Sequence, residues 1–577
     1  YSYVATEALN RQSKSYQELR QNAANYYAEN AVAPKLEEIL NKMFYEQPND
    51  VYGRLSEYFE EFALTPNIVK ISANKVMDGV GAGGLQCSVF AEVKNQPKVL
   101  SSLSMSLEKE ISMLPLQQQH TTERGCMHIS ESISSKLNNV SLLQQTEVDL
   151  MLRDWIDDAE YDKFIGANQP TEEDDGHSRT PTPSSGRKKK TSSGKAKVGK
   201  VPEKPVPPKE PMEDRLKGCT AASAVSVAVL KAAANFLQKS GIAQQNVDNT
   251  VTMPTPAMVV LSGGKSAPGK LHMLKNVFAI AKPGLTISES ISNLIKVYQN
   301  VGKGLSAKSV NFDKIKQISA SGGYEPSYDK PEQPLDAILE AINTSGLVPG
   351  QDIFLGIECS AHEIFDYDKG KYEISTGTLK TADEFIDLLK DLVMRYPSLI
   401  MIIDPLRRED REQWTKLCEM VSEKCFIIGS DVIYGSMHSL NDNMLSARKS
   451  SGLVISTGSR VTCSDLARVV GDIRARECVT IMTSPVGDVC DDIFSDLAVG
   501  LGATFVRFGA PSRGENTSKI NRFIEIERII NESKTSKINY LSKFEFPVIK
   551  PPPPAPVSDE ENEIPAENSS PDQKKKK

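Results

Sequence analysis

The stretch "RYPSLIMIIDP" runs from Arg395 to Pro405, and its apolar run, Leu399 to Ile403, ends on one acid, Asp404, and then a proline. Such a run is how a strand buried on both faces of a parallel sheet reads, and an acid at its carboxyl end lies where α/β barrels gather reactive groups. Similar runs recur along the chain: "AMVVLSG" (257–263), "IFLGIE" (353–358), "CFIIGS" (425–430), "LVIST" (453–457), "CVTIMTS" (478–484) and "TFVRFG" (504–509). Between them lie amphipathic segments such as "ADEFIDLLKDLVMRY" (382–396) and "TCSDLARVVGDIRAR" (462–476). Strands alternating with helices predict parallel β/α units, and the number of runs predicts a closed (β/α)8 barrel over residues 251–546. A doubly wound open sheet is the competing arrangement. It is weakened because no GxGxxG or GxxxxGK(S/T) phosphate loop follows any of these runs.

Composition narrows the function classes. At 577 residues the chain exceeds one ordinary domain. A net charge of -7 gives no electrostatic case for nucleic acid. The 9 cysteines form no CxxC, and several sit inside apolar runs, as expected of reduced, buried thiols in a cytoplasmic protein. The 6 histidines show no metal-ligand spacing. No apolar run reaches the ~18–20 residues of a membrane span and no signal peptide is visible, so no membrane partner is expected. The chain begins at Tyr1 rather than Met, so a true N-terminus is expected upstream.

Two segments read as disordered. Residues 167–212 carry acidic, basic and proline-rich blocks in turn and almost no large apolar residues, too little to offset chain entropy. Within them "RKKK" (187–190) reads as a solvated charge run, an import signal or a contact for an anionic surface. Residues 547–577 follow the same logic, with Pro551–Pro554 as a spacer or a polyproline ligand.

The N-terminal residues 1–65 read as helices. Val32, Leu36, Ile39, Leu40 and Met43 share one helical face, "EQPND" breaks the helix, and Val51, Leu55, Tyr58 and Phe59 form a second apolar face. Two short helices cannot bury these stripes alone. An antiparallel pair is expected to dimerise into a four-helix bundle, the alternative being a hairpin packed on its own barrel.

Several segments resemble enolases. "GAPSRGENTSKINRFIEIERI" (509–529) resembles their C-terminal end, "DIFSDLAVGLGATFVRFGAP" (492–511) the helix and strand before it, and "GIECSAHEIFDYDKGKYEI" (356–374) the segment with the first magnesium ligand. "ISANKVMDGVGAGGLQCSVFAEV" (71–93) is similar to the start of the enolase N-terminal domain. "TEVDLMLRDWID" and "CTAASAVSVAVLKAAANF" are similar to later parts of it, which makes the linker an insertion. The resemblance covers roughly residues 66–546 and points to the divergent fourth, sperm-associated branch of animal enolases. It implies an α/β fold: an enolase-type (β/α)8 barrel (251–546) preceded by an α+β N-terminal capping domain (66–250). "YYAENAVAPKLEEIL…QPNDVYGRLSEYF" is similar to the docking-and-dimerisation fold of Dpy-30 proteins and protein kinase A regulatory subunits. That implies a small all-α dimerisation domain. It also implies a homodimer whose groove receives an amphipathic helix of an anchoring or cytoskeletal protein.

Enolases convert 2-phosphoglycerate to phosphoenolpyruvate. The resemblance implies magnesium ions that hold the developing negative charge, a lysine base and a glutamate that helps hydroxide leave. Carried across, the first metal ligand falls on Glu358, the second on Ile403 and the third on Ser430. Asp404 and Asp431 each follow one place later, as candidate substitutes. A one-residue step along a strand turns a side chain to the other face, unless the chain curls at the strand end. The base falls on Val454, or with a one-place shift on Ile455. The catalytic glutamate falls on Ser321 and a second active-site glutamate on Lys275. The substrate-binding Ser-His-Arg-Ser falls on Thr483, Ser484, Pro485 and Val486, so the phosphate-clamping arginine is lost. The loop histidine falls on Ser266, and the second lysine, near the carboxylate, on Arg507. The mobile serine loop has no counterpart between "FAEVKNQ" and "EKEISM".

Losing base, acid, metal ligands and phosphate clamp together predicts loss of turnover, since general acid–base groups alone supply ~10²–10⁴-fold each. The expected reading is a pseudoenolase that acts as a dimeric anchoring component of sperm flagella or cilia. An active, magnesium-dependent phosphopyruvate hydratase is the first alternative. A metabolite-binding protein using Lys265, Lys270, Lys275 and Arg507, with Ser266 and Ser484, is the second.

Overall fold

The computed structural model describes residues 2–106, 122–167, 219–237, 250–308, 317–430, 445–446, 449–456, 462–533 and 536–547. Asp431, nearly all of the linker and most of the tail lie outside the described residues. The chain divides into two compact units: residues 1–69 with 90–98 and 138–143, and residues 70–89, 99–137 and 144–577.

The first unit opens with helices α1 (Ser2–Glu29), α2 (Val32–Glu46) and α3 (Val51–Glu60). Gln47 ends α2 in a left-handed conformation, and Asp50 starts α3 by accepting from the Gly53 amide. The break therefore falls at the Pro-Asn-Asp turn. Ile39 and Tyr58 are buried within the helices, Val32, Met43 and Leu55 are half-buried, and Leu36, Leu40 and Phe59 are exposed.

Strands β1 (Ile68–Met77), β2 (Gly83–Val93) and β3 (Gln96–Ser106) pair in that order. Leu85, Cys87, Val89 and Ala91 of β2 are all buried, the period of two of a sheet with one covered face. A helical stretch that includes a π-helical turn, His128–Ile133, and its continuation, Ser134–Lys136, comes next, and then the longer helices α4 (Gln145–Ala167) and α5 (Cys219–Phe236). The described side chains of α5 from Ala221 to Val229 are all buried, which fits a helix apolar on nearly every face.

After β4 (Thr250–Met253), the eight strands of the barrel are β5 (Thr255–Ser262), β6 (Asn276–Ala281), β7 (Ile353–Glu358), β11 (Leu399–Ile403), β12 (Phe426–Gly429), β13 (Gly452–Ser456), β14 (Val479–Thr483) and β15 (Phe505–Phe508). They close in the order β11-β12-β13-β14-β15-β5-β6-β7. The three short strands β8 (Phe365–Asp366), β9 (Lys371–Ser375) and β10 (Thr378–Lys380) form a separate small sheet between β7 and β11.

The uniform parallel pattern expected from the sequence needs one correction. β6, "NVFAIA", pairs antiparallel with both β5 and β7. An antiparallel neighbour needs no crossover helix, so β5 runs to β6 through the loop 263–275. Helices α6 (Ile287–Lys308) and α7 (Glu332–Thr344) then follow as a pair before β7.

Later units are regular. Helix α8 (Ala382–Arg395) begins at a capping box of Thr381 and Glu384, and α9 (Arg411–Val421) follows β11. Helix α10 (Cys463–Ala475) begins at a capping box of Thr462 and Asp465; α11 (Ile493–Gly500) and α12 (Gly514–Glu532) flank β15. Strand β16 (Lys537–Tyr540) pairs with β4.

The barrel interior is a packed apolar core that includes Ala257, Phe278, Ile403, Ile428, Val454 and Ile481. At the end where the parallel strands start, Phe544 and Phe546 pack against it. Phe544 lies 5.1 Å from Phe354 and Phe546 lies 4.7 Å from Phe426, between ring centroids.

Candidate functional site

The carboxyl-terminal mouth of the barrel collects the polar side chains. Register sets their level: Ser262 pairs with Asn276, Asn276 with Glu358 and Glu358 with Ile403. Paired residues face the same side of a sheet, and Ile403 belongs to the interior core, so Glu358 faces inward too. Arg507 pairs with Ala257, another interior residue, and with Thr483.

These two inward groups meet. Arg507 Nη1 donates to Glu358 Oε2 at 2.5 Å, and Asn276 Nδ2 donates to the same oxygen at 2.9 Å. The Ser360 hydroxyl donates to Oε1 at 3.4 Å. Both ends of the ion pair are nearly covered, with side chains 10% and 13% exposed. Burial alone would raise the Glu358 carboxyl. The Arg507 and Lys275 charges and the two hydrogen bonds outweigh burial and bring it down to about 2.

Lys275, just before β6, donates to Glu363 Oε1 at 2.6 Å. Burial would lower its ammonium pKa, but Glu358, Glu363 and Asp404 outweigh that and raise it. A lysine held charged in this way does not accept a proton near neutrality.

Asp404 does curl out of its strand. It takes a left-handed φ of 48° directly before Pro405, and Ser360, past the end of neighbouring β7, takes 44°. The curl brings the Asp404 carboxylate to Ser430, whose amide donates at 2.7 Å and whose hydroxyl donates at 2.6 Å. Ser430, the assigned third metal position, and Asp404, the candidate substitute for Ile403, are thus bonded to each other, and Asp404 is buried.

The remaining assigned positions separate into groups. Ser321 is buried in a hydroxyl cluster, 2.7 Å from Ser319 and 2.9 Å from Ser262. Gly322 beside it takes φ 88°, and a Cβ there would meet the Ala510 carbonyl at 2.8 Å. Val454 packs in the barrel interior, so of the two registers for the base it is Val454 that faces inward; Ile455 is buried outside that interior cluster. Lys265 and Ser266 are exposed on the turn beyond β5, and Ser484 is half-buried just past β14. Among the described residues these three take no part in the Glu358 network. Thr483, the assigned first residue of the substrate-binding motif, does shape the mouth by accepting from Arg507. Asn276 and Glu363 shape it too, yet as site partners only their positions beside Lys275 and within "SAHEIF" marked them in the sequence.

Magnesium requires an octahedral shell of oxygens, usually including one or two carboxylates. Here Glu358 Oε2 already receives two donors, position 403 is apolar, and both Asp404 oxygens accept from Ser430. No group of three or more His, Cys, Asp or Glu that could hold a metal occurs among the described residues. The residues present do not fit the ion.

Comparison with known proteins places this geometry in a lineage. The family description "Enolase, C-terminal TIM barrel domain" matches residues 250–542. Enolase 4 of Xenopus laevis is 34% identical over 562 residues, 95% of this chain and 98% of that one. The chain belongs to the enolase family. Enolase 4 of Homo sapiens is likewise 34% identical, over 564 residues covering 91% of this chain and 90% of the human one. Enolase of Methanopyrus kandleri is 31% identical over 313 residues, 54% of this chain and 71% of its own. The enolase barrel is therefore retained in this chain around a mouth whose ionisable groups are bonded to one another. No helix among the described residues is long and apolar enough to cross a membrane.

Proposed function

We propose that this chain is a pseudoenolase, an enolase-family protein that does not turn over 2-phosphoglycerate and serves as a dimeric anchoring component. The observation that carries the reading is the fate of Val454. The position that resemblance assigns to the base lies in the apolar interior, in one core with Ile403, the assigned second metal ligand. Neither side chain can accept a proton or coordinate an ion, and Ser321 cannot serve as a carboxylic acid.

The proposed anchoring device is the helical segment 1–65, with 66–250 as capping domain and 251–546 as barrel. Leu36 is 41%, Leu40 57% and Phe44 73% exposed, while Ile39 beside them is fully buried. An apolar stripe left open in a single chain is what an antiparallel helix pair needs to dimerise and to receive an amphipathic helix from a partner. Resemblance to the sperm-associated branch of enolases motivates a place in flagella or cilia.

The test is release of the C2 proton from isotope-labelled 2-phosphoglycerate by the full chain with excess magnesium, beside an authentic enolase. Background release supports the reading. Release above background overturns it.

A further inference from the structure

We infer that Arg507 is the resident cation of the barrel mouth: its guanidinium stands on Glu358 where the family places a divalent metal, and the mouth is held together without metal. The inference rests on the pseudoenolase reading and deepens it. Its basis is the conflict between the family's magnesium and this chain's donor atoms.

A carboxylate oxygen has two lone pairs, and Glu358 Oε2 uses both, one for Arg507 Nη1 at 2.5 Å and one for Asn276 Nδ2 at 2.9 Å. Asn276 is held in turn, its Oδ1 accepting from the Ser262 hydroxyl at 2.9 Å. Arg507 lies 5.5 Å above the Phe278 ring centroid, a face that attracts a cation, and its Nε donates to Thr483 at 3.4 Å. A guanidinium is weakly hydrated and suits so covered a place, whereas magnesium sheds water reluctantly and keeps several waters. The neighbouring wall is Ile403, which offers no oxygen. Being tethered, the cation is present at every metal concentration.

The experiment uses the full chain, with thermal unfolding in EDTA, in millimolar magnesium chloride and in millimolar manganese chloride. The wild type is expected to melt at one temperature in all three. Arg507→Ser, which empties the cation's place beside Glu358, is expected to melt lower in EDTA and to recover by ~2 °C or more in manganese. Arg507→Lys is expected to show no recovery, and adding Glu358→Gln to Arg507→Ser is expected to abolish it. Stabilisation of the wild type by either metal, lost in Glu358→Gln, would overturn the inference, as would a folded Arg507→Ser indifferent to manganese. Should Arg507→Ser not fold, a manganese titration of the wild type followed by electron paramagnetic resonance decides. No bound ion is expected, and one tightly bound ion per chain that is lost in Glu358→Gln would overturn the inference. Metal binding with background proton release overturns this inference alone, whereas proton release above background overturns the reading beneath it.

Discussion

Arg507 reaches Glu358 across two intervening strands of the barrel: β15 and β7 are separated by β5 and β6, yet Nη1 and Oε2 are 2.5 Å apart. The pair therefore ties opposite parts of the mouth rim together. Removing one partner leaves the other charge buried and alone, which costs about 3–5 kcal/mol. Glu358→Gln is expected to lower stability by that order in urea unfolding. Replacing both residues by leucine is expected to cost clearly less than the sum of the two single changes, because no lone charge is left behind.

The same pair sets an acid limit. The Glu358 carboxyl, brought down to about 2 in the folded chain, titrates at its ordinary 4.5 when unfolded. A depressed carboxyl contributes stability that is present above the unfolded value and is lost as pH falls through the folded one. The stability difference between wild type and Glu358→Gln is thus expected to be constant near neutrality and to shrink between about pH 5 and pH 2. Chemical denaturation at a series of pH values measures it; a difference that grows on acidification would contradict the assignment.

Restoring the base alone is expected to fail. Val454 is 5% exposed within the interior cluster, so Val454→Lys puts an ammonium group against Ile481 and its neighbours. The expected result is a loss of stability of ~2 kcal/mol or more with proton release still at background. Urea unfolding and the labelled-substrate assay give the two readouts.

The helical segment carries a test of assembly. Leu36 and Leu40 are exposed and Ile39 is buried, so substitution separates assembly from folding. Leu36→Glu with Leu40→Glu is expected to shift the full chain from twice 63.3 kDa to 63.3 kDa in light scattering, with helicity kept. Ile39→Ala is expected to reduce the helical signal of the segment instead.

At the opposite end of the barrel the chain plugs itself. Phe544 lies 5.7 Å from Phe505 and Phe546 4.7 Å from Phe426, ring to ring. Both phenylalanines are half-buried. Phe546→Ala is expected to cost about 2 kcal/mol in urea unfolding, through lost apolar burial.

How much of this was legible follows from range along the chain. "LIMII" and "IFLGIE" coincide with β11 and β7 because a doubly buried strand is written in consecutive residues. "TCSDLARVVGDIRAR" matches α10 because its cap and its apolar period are local. "NVFAIA" escaped the reading because strand–helix alternation was the guide, and β6 joins β5 with no helix between them. β16 escaped because its partner, β4, lies far earlier in the chain. In the mouth, the apolar replacements at 403 and 454 were legible as residue types. Which groups hold one another was not: Asn276 and Arg507 reach Glu358 from 82 and 149 residues away, and Asp404 accepts from Ser430, just past the next strand and 26 residues on.

The most direct test of the central claim is loss of the C2 proton from labelled 2-phosphoglycerate, measured with the full chain and excess magnesium against an authentic enolase. The account predicts a rate equal to the no-enzyme background. A rate above background that disappears in Glu358→Gln or Arg507→Ser would contradict it, and would mean that this mouth has rebuilt an active site from the residues that now bond to one another.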